Sequence, residues 1–292
     1  MRSRPFGRLG TVSALTIGGG GIGQVWGPTT RDEAVATLRA AVDAGITLID
    51  VAATYGPDGE AEHVVGAAFD GRLPDGVRVV TKVALRAPWS TFAGEPVTAG
   101  LVERALRDSL ERLRLEFVDL YLLHDMIVPD SGPEDEPGTP LAVYRETVRP
   151  VFEQLEQAGR IGAWGISARG VRPALQAALA DDPPPAAAQV VANALEFDSS
   201  LAAAAEARGV AVMGIQPAYS GALTDGFDRL VEPPMAALFE RAAPFRALAA
   251  ELGEPSAVLA HRYALGLPHV STVATGVKNR RELEVAVRAE AA

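Results

Sequence analysis

The run FVDLYLLH at residues 117–124 carries consecutive apolar side chains where a strand with one wet face would alternate apolar and polar. Leu120, Tyr121, Leu122 and Leu123 leave no position for water, so this strand is expected to be covered on both faces, as in a parallel sheet wrapped by helices. Comparable runs lie outward from it on either side: ALTI (14–17), ITLIDV (46–51), VRVVTKV (77–83), IGAWGIS (161–167), AAAQVVAN (186–193), VAVMGI (210–215) and VSTVATG (270–276). Between them, apolar residues recur at helical spacing: Ala34, Leu38, Ala41 and Val42; Val102, Ala105, Leu106, Ser109, Leu110 and Leu113; Val151, Leu155 and Ala158. Gly45, Gly159 and Gly209 follow three of the helical stretches and predict where each stops and turns into the next strand. Eight strand–helix repeats in 292 residues fit an α/β fold of the (β/α)8 TIM-barrel type, a single domain over residues 1–292. A doubly wound sheet would need fewer strands and a second region for substrate.

Composition narrows the function. Hydrophobic residues make up 48% of the chain and charged ones 22%, enough apolar material for a full core. Lys and Arg number 27 against 37 Asp and Glu, and the net charge of -10 argues against a dedicated binder of nucleic acid or of an anionic membrane surface. The absence of cysteine excludes disulfides, a thiolate nucleophile and Cys-ligated metal, and suits a cytoplasmic location. The uncharged stretch from Leu9 to Thr30 holds seven glycines and Pro28 and lacks a dense apolar block, so it reads as neither a signal peptide nor a membrane span.

Several motifs lose their first reading on inspection. Gly18 to Gly23 satisfies G-x-G-x-x-G, but helical periodicity starts only near Arg31 and the acid about 20 residues on, Asp43, falls in a helix, so a tight flexible turn is the better reading. In Gly165-Ile166-Ser167-Ala168-Arg169-Gly170 the second glycine stands one position too late for a nucleophile elbow. Histidines 63, 124, 261 and 269 show no ligand spacing, so no metal is expected. Three long polar segments follow strands, at 84–97, 125–140 and 217–237, and their length and placement point to lid or substrate loops on the C-terminal face, with a solvated loop of no catalytic role as the alternative for the proline- and acid-rich run 126–140.

Polar residues at the strand ends form the informative set. Asp50 ends ITLID with Tyr55 five residues later, Lys82 ends VRVVTK, and His124 ends DLYLLH, which delivers an acid, a phenol, an amine and an imidazole to one rim. A phenol of pKa about 10 is a poor acid at neutral pH, and a neighbouring ammonium lowers that value. Asp50 would hold Lys82 by a charge-assisted bond and His124 would orient a carbonyl or share the phenol's proton, giving general acid catalysis at a carbonyl oxygen. None of the four supplies reducing equivalents, so a hydride donor has to be a cofactor.

These residues resemble the aldo-keto reductases: DVAATYG with Asp50 and Tyr55, VVTK with Lys82, and DLYLLH with His124 stand in that family's order, and the resemblance runs over residues 10–290. It implies a (β/α)8 barrel that uses NADPH or NADH without a Rossmann domain, with the tyrosine as general acid, the lysine and aspartate tuning it, and the histidine orienting the substrate carbonyl. It further implies that Ser167 and Gln189 bond the nicotinamide carboxamide, that Ile215 takes the place of a stacking aromatic, and that Gly18 and Gly19 let the cofactor approach the backbone. In TGVKNRRELEVA, the residues Gly276, Lys278, Asn279, Arg280 and Arg281 stand where the family holds the adenosine phosphate, which favours NADP(H) with NAD(H) possible, or alternatively Lys278, Arg280 and Arg281 form a solvated cationic helix start. The chain departs from the family at Ala168, Glu282, Val285 and Ala286.

The implied activity interconverts an aldehyde, ketone or sugar hemiacetal/lactone with the corresponding alcohol by direct hydride transfer, the partner being a small-molecule carbonyl or sugar. Trp26, Trp89, Phe92, Met126 and Phe227 are candidates for an apolar substrate pocket, or alternatively each anchors its own loop. The acidic loop from Asp125 to Glu136 is expected to disfavour anionic substrates. Two other readings fit a barrel: a nicotinamide-binding regulatory protein with little turnover, and a lyase or isomerase in which Lys82 forms a Schiff base.

Overall fold

The structure, a computed structural model, describes residues 1–131, 137–167, 172–225 and 233–291. Eight parallel strands close into a barrel in chain order: β1 (Leu15–Gly18), β2 (Leu48–Asp50), β3 (Arg78–Val83), β4 (Leu120–Leu123), β5 (Trp164–Ser167), β6 (Ala187–Val191), β7 (Ala211–Ile215) and β8 (Thr272–Gly276). Each lies inside one of the eight apolar runs, or one residue past it for Gly18, and most are shorter at their ends than those runs. The principal helices around the barrel are α1 (Arg31–Asp43), α2 (Glu60–Phe69), α3 (Ala99–Leu113), α4 (Arg149–Gln157), α5 (Arg172–Leu179), α6 (Ser199–Ala207), α7 (Ser256–Leu265) and α8 (Arg280–Ala291).

Local chemistry sets the helix ends. The side chains of Thr30, Thr98 and Asp198 accept from the N–H groups of Glu33, Leu101 and Leu201, capping α1, α3 and α6. Gly45, Gly159 and Gly209 take left-handed φ values of 87°, 68° and 74° and turn the chain out of α1, α4 and α6 toward the next strand. The six apolar or small residues singled out on α3 are all buried, whereas Ala158 of the α4 pattern is exposed just past that helix.

Strand alternation divides the core in two. Outward-facing Ile17, Ile49, Val79, Tyr121, Ile166, Ala188, Val212 and Val273 pack against the helices in one large cluster. Inward-facing Leu48, Val80, Leu120, Leu122, Ala187, Met213 and Ala274 fill the barrel in another. An antiparallel hairpin, Ser3–Pro5 with Thr11–Ser13, carries Phe6 and Val12 into this inner cluster, a hairpin that no periodicity in the sequence announced. Arg2 ties it to α8 through Glu290 at 2.8 Å.

Two helices in the β7–α7 connection, Pro233–Arg241 and Ala243–Glu251, were likewise not expected. The glycine run differs from the flexible turn expected of it: Gly19–Ile22 forms one buried helical turn. A β-carbon on Gly21 would stand 2.2 Å from the carbonyl oxygen of Val277, so the turn sits against the exit of β8 where only glycine fits. Among the described residues no helix is long and apolar enough to cross a membrane.

Candidate active site

The period of two that fills the barrel also builds its mouth. Leu48 and Val80 point inward, so Asp50 and Lys82, each two residues further along the same strand, point inward one layer higher. The same step leads from Leu122 to His124, from Ala187 to Gln189, from Met213 to Ile215, and from Ala274 to Gly276. Asp50 lies opposite Val80 in the β2–β3 register, which leaves Lys82 free to lean over its carboxylate.

Lys82 is buried, and its Nζ lies 2.8 Å from Asp50 Oδ1. It donates to the carbonyl oxygen of Val51 at 2.8 Å and to Tyr55 Oη at 3.3 Å. Burial acts to lower the ammonium's pKa, but the Asp50 carboxylate and the Tyr55 oxygen outweigh it and leave Lys82 above its ordinary value. The His124 ring meets the Tyr55 ring edge-on with centroids 5.5 Å apart, and its Nδ1 lies 3.4 Å from Thr54 Oγ1. Asp50, Lys82 and His124 from three strand ends and Tyr55 from the loop after β2 therefore share one cluster, with the phenol between an ammonium and an imidazole.

Ser167 and Gln189 are buried at neighbouring positions, paired across β5 and β6. Gln189 Nε2 donates to Asp50 Oδ1 at 3.0 Å and approaches Met213 Sδ at 3.1 Å, so part of its amide supports the carboxylate that holds Lys82. Ile215 is half-buried at the end of β7. Gly18 aligns with Asp50 on one side and Gly276 on the other.

The apolar candidates separate. Trp89 stands with its ring 6.3 Å from that of His124, and together with Phe92, Thr54 and Lys82 it lines a cavity of about 400 Å³ that extends to Asp108 and Arg112 on α3. Met126 instead faces a second cavity of about 310 Å³, shared with Arg172, Gln216 and Tyr219. Trp26 packs its indole edge on the glycines: β-carbons on Gly20 and Gly276 would stand 2.6 and 3.0 Å from Nε1. Phe227 lies outside the described residues, as do Ala168 and the acidic residues from 132 to 136.

Asp125, the first residue of the acidic loop, is fully buried. Its carboxylate accepts from the backbone N–H groups of Leu85, Arg86 and Ala87 and from Thr139 Oγ1 at 2.7 Å, pinning the β3 loop beside His124. Burial pushes this carboxyl above its ordinary range against the pull of those bonds. The only signal in the sequence was its place directly after His124.

The cations after β8 are also engaged. Lys278 Nζ lies 3.3 Å from Glu282 Oε1, and Arg280 holds Glu33 through Nε at 3.2 Å and Nη2 at 3.0 Å, while Arg281 is exposed. The bond from Arg280 holds the Glu33 carboxyl below its usual range. Among the described residues no group of three or more His, Asp or Glu side chains is gathered as a metal ion would require.

Comparison with known proteins places the chain. The model of the Aldo/keto reductase family matches residues 14–292, and the chain belongs to that family. It is 37% identical to the aldo-keto reductase YhdN of Bacillus subtilis over half of this chain and 40% of that protein. It is 27% identical to the L-galactose dehydrogenase of Arabidopsis thaliana over 98% of this chain and 87% of that one. The solved holo form of an aldo-keto reductase from Bacillus halodurans superposes with a TM-score of 0.73 over the whole of this chain and 91% of the other, at 24% identity, a likeness of fold.

Proposed function

We propose that this aldo-keto reductase interconverts a small carbonyl compound, an aldehyde, ketone or sugar hemiacetal/lactone, and its alcohol by direct hydride exchange with a nicotinamide dinucleotide. The observation that carries the proposal is the buried ammonium of Lys82, 3.3 Å from Tyr55 Oη and fixed by Asp50 at 2.8 Å. An ammonium at that distance stabilises phenolate relative to phenol, so Tyr55 can give a proton to a forming alkoxide and take one from an alcohol in reverse. His124, packed edge-on against Tyr55, would donate to the carbonyl oxygen and hold its carbon toward the donor.

The cofactor, when bound, supplies the hydride. Ser167 and the remaining hydrogen-bonding capacity of Gln189 would face its carboxamide, Ile215 would offer an apolar face to the ring, and the strand ends at Gly18, Gly19 and Gly276 would let its backbone lie close. The polar atoms of Ser167 and Gln189 and the exposed Gly276 suit that group, while Gly18 and Gly19 are buried against Thr275 and Val51. Lys278, Arg280 and Arg281 would lie toward its adenosine end. Trp89 and Phe92 would border the substrate beside His124, with Trp26 against the cofactor groove, whereas Met126 lines the second cavity. Relatives named as L-galactose dehydrogenase and methylglyoxal reductase favour sugars and small dicarbonyls as first substrates.

The bonding of Lys82 counts against the Schiff-base reading, because that chemistry needs a neutral, unencumbered amine. The test is a titration of the purified protein with NADH and NADPH, followed by absorbance assays over a panel of aldehydes, ketones and aldoses in both directions. Cofactor binding with turnover of at least one class supports the proposal. Binding without any turnover would favour a regulatory role, and no binding would remove the proposal altogether.

A further inference from the structure

Barrels of this type commonly hold phosphate groups at the exits of strands seven and eight, where a helix N-terminus presents free N–H groups. In this chain β8 ends at Gly276 and runs within four residues into α8, through Val277, Lys278 and Asn279. Three cations gather there, and composition alone suggests a seat for an extra phosphate. The structure shows the opposite arrangement, because the corner already contains its own anions.

Glu282 turns back so that Oε2 accepts from the backbone N–H of Lys278 at 2.9 Å, while Oε1 lies 3.3 Å from Lys278 Nζ. Glu33, reaching across from α1, accepts from the backbone N–H of Arg280 at 3.2 Å and from two nitrogens of its guanidinium. Asn279 Oδ1 accepts from the N–H of Glu282 at 3.0 Å, which caps the helix itself. Glu284 adds a further negative charge acting on Arg280. The N–H groups of residues 278, 280 and 282 are thus spent on side-chain oxygens, and Lys278, whose side chain is only 9% exposed, has no clear path to a second anion. Glu282 and Glu33 thus occupy Lys278 and Arg280, while Arg281 is exposed at the start of α8.

We infer that this corner selects a dinucleotide without a 2′-phosphate, so that NAD(H) is the working cofactor of the activity proposed above, with Glu33 and Glu282 as the residues that set the choice. The inference rests on that proposal for the placement of the adenosine end. A 2′-phosphate carries a charge of about −1.5 to −2 near neutral pH, and the Glu282 carboxylate, 35% exposed and 3.3 Å from the 9%-exposed Lys278 Nζ, would repel it. A phosphate-free ribose has no such conflict.

The test compares dissociation constants of the intact wild-type protein for NADH and NADPH by calorimetry, and for adenosine 2′,5′-bisphosphate against 5′-AMP by competition. NADH should bind at least as tightly as NADPH, and the bisphosphate no tighter than 5′-AMP. In Glu282→Gln the ratio of the NADPH constant to the NADH constant should fall by about tenfold, with a further fall in a Glu33→Gln/Glu282→Gln double variant. A wild type that binds NADPH tenfold more tightly than NADH, a bisphosphate that binds better than 5′-AMP, or a ratio that Glu282→Gln leaves unmoved would overturn the inference while leaving the proposed activity intact. A protein that binds neither dinucleotide overturns both.

Discussion

Replacing Asp50 with asparagine isolates the charge that holds the site together. The amide keeps the shape of the carboxylate and an oxygen that can still accept from Gln189 and Lys82, but the buried ammonium loses its only anionic partner and keeps neutral acceptors in that oxygen, the Val51 carbonyl and Tyr55 Oη. Removing one member of a buried ion pair costs about 3–5 kcal/mol, in line with a Coulomb interaction of about 4 kcal/mol near 4 Å at an effective dielectric of 20. The pH dependence carries a sign. In the wild type Lys82 sits above its unfolded value of about 10.4, so its stabilisation is complete below that pH and is lost as pH rises through the folded value. In the variant, burial acts without the Asp50 charge and the folded value drops below about 10.4; the penalty is then complete at neutral pH and shrinks as the amine loses its proton. Equilibrium denaturation with urea should therefore show Asp50→Asn less stable by about 3–5 kcal/mol near pH 7, with a smaller difference near pH 10. A loss under about 1 kcal/mol, or one that stays constant across this range, would refute the reasoning.

Other consequences can be checked separately. Asp125→Ala strips acceptors from three backbone N–H groups and the Thr139 hydroxyl, and should cost about 3 kcal/mol or more and expose residues 85–97 to limited proteolysis. His261 is buried on α7 with Nε2 2.6 Å from Thr275 Oγ1, and burial lowers its pKa. Since the unfolded chain protonates it first, wild-type stability should fall as pH drops below about 6.5, by up to about 1.4 kcal/mol per unit, and His261→Gln should lessen that slope. Trp26, lying on Gly20 and Gly276, should report on cofactor: its fluorescence should be quenched on saturation, and Trp26→Phe should remove most of that signal while leaving the contributions of Trp89 and Trp164.

Much of the fold was legible because burial on both faces writes itself as unbroken apolar runs, and because the C-terminal glycines mark where helices end. The position of the polar cluster followed from the same strands: once Leu48, Val80 and Leu122 are read as inward, Asp50, Lys82 and His124 must crown the same interior. What escaped was set by contacts between distant parts of the chain. Phe6 packs into the barrel's inner cluster although no periodicity marks the segment from Arg4 to Arg8. Asp125 resembles a loop acid, and only the fold shows its carboxylate occupied by residues 85–87 and Thr139. The cationic segment after β8 reads as a phosphate seat until Glu33, about 250 residues earlier in the chain, is seen to close on Arg280. Trp26, Met126 and Trp89 share a chemistry but face three different surroundings, which loop sequence alone does not encode.

The central claim is that Tyr55, made a usable acid by the ammonium beside it, moves the proton that accompanies hydride transfer. Single-turnover kinetics of Tyr55→Phe with saturating reduced cofactor and a carbonyl substrate found in the panel tests it most directly. The expected result is a hydride-transfer rate lower by about 10²–10⁴-fold with a cofactor dissociation constant changed by no more than a few-fold. A rate within about threefold of the wild type would contradict the claim, and the proton would have to come from elsewhere.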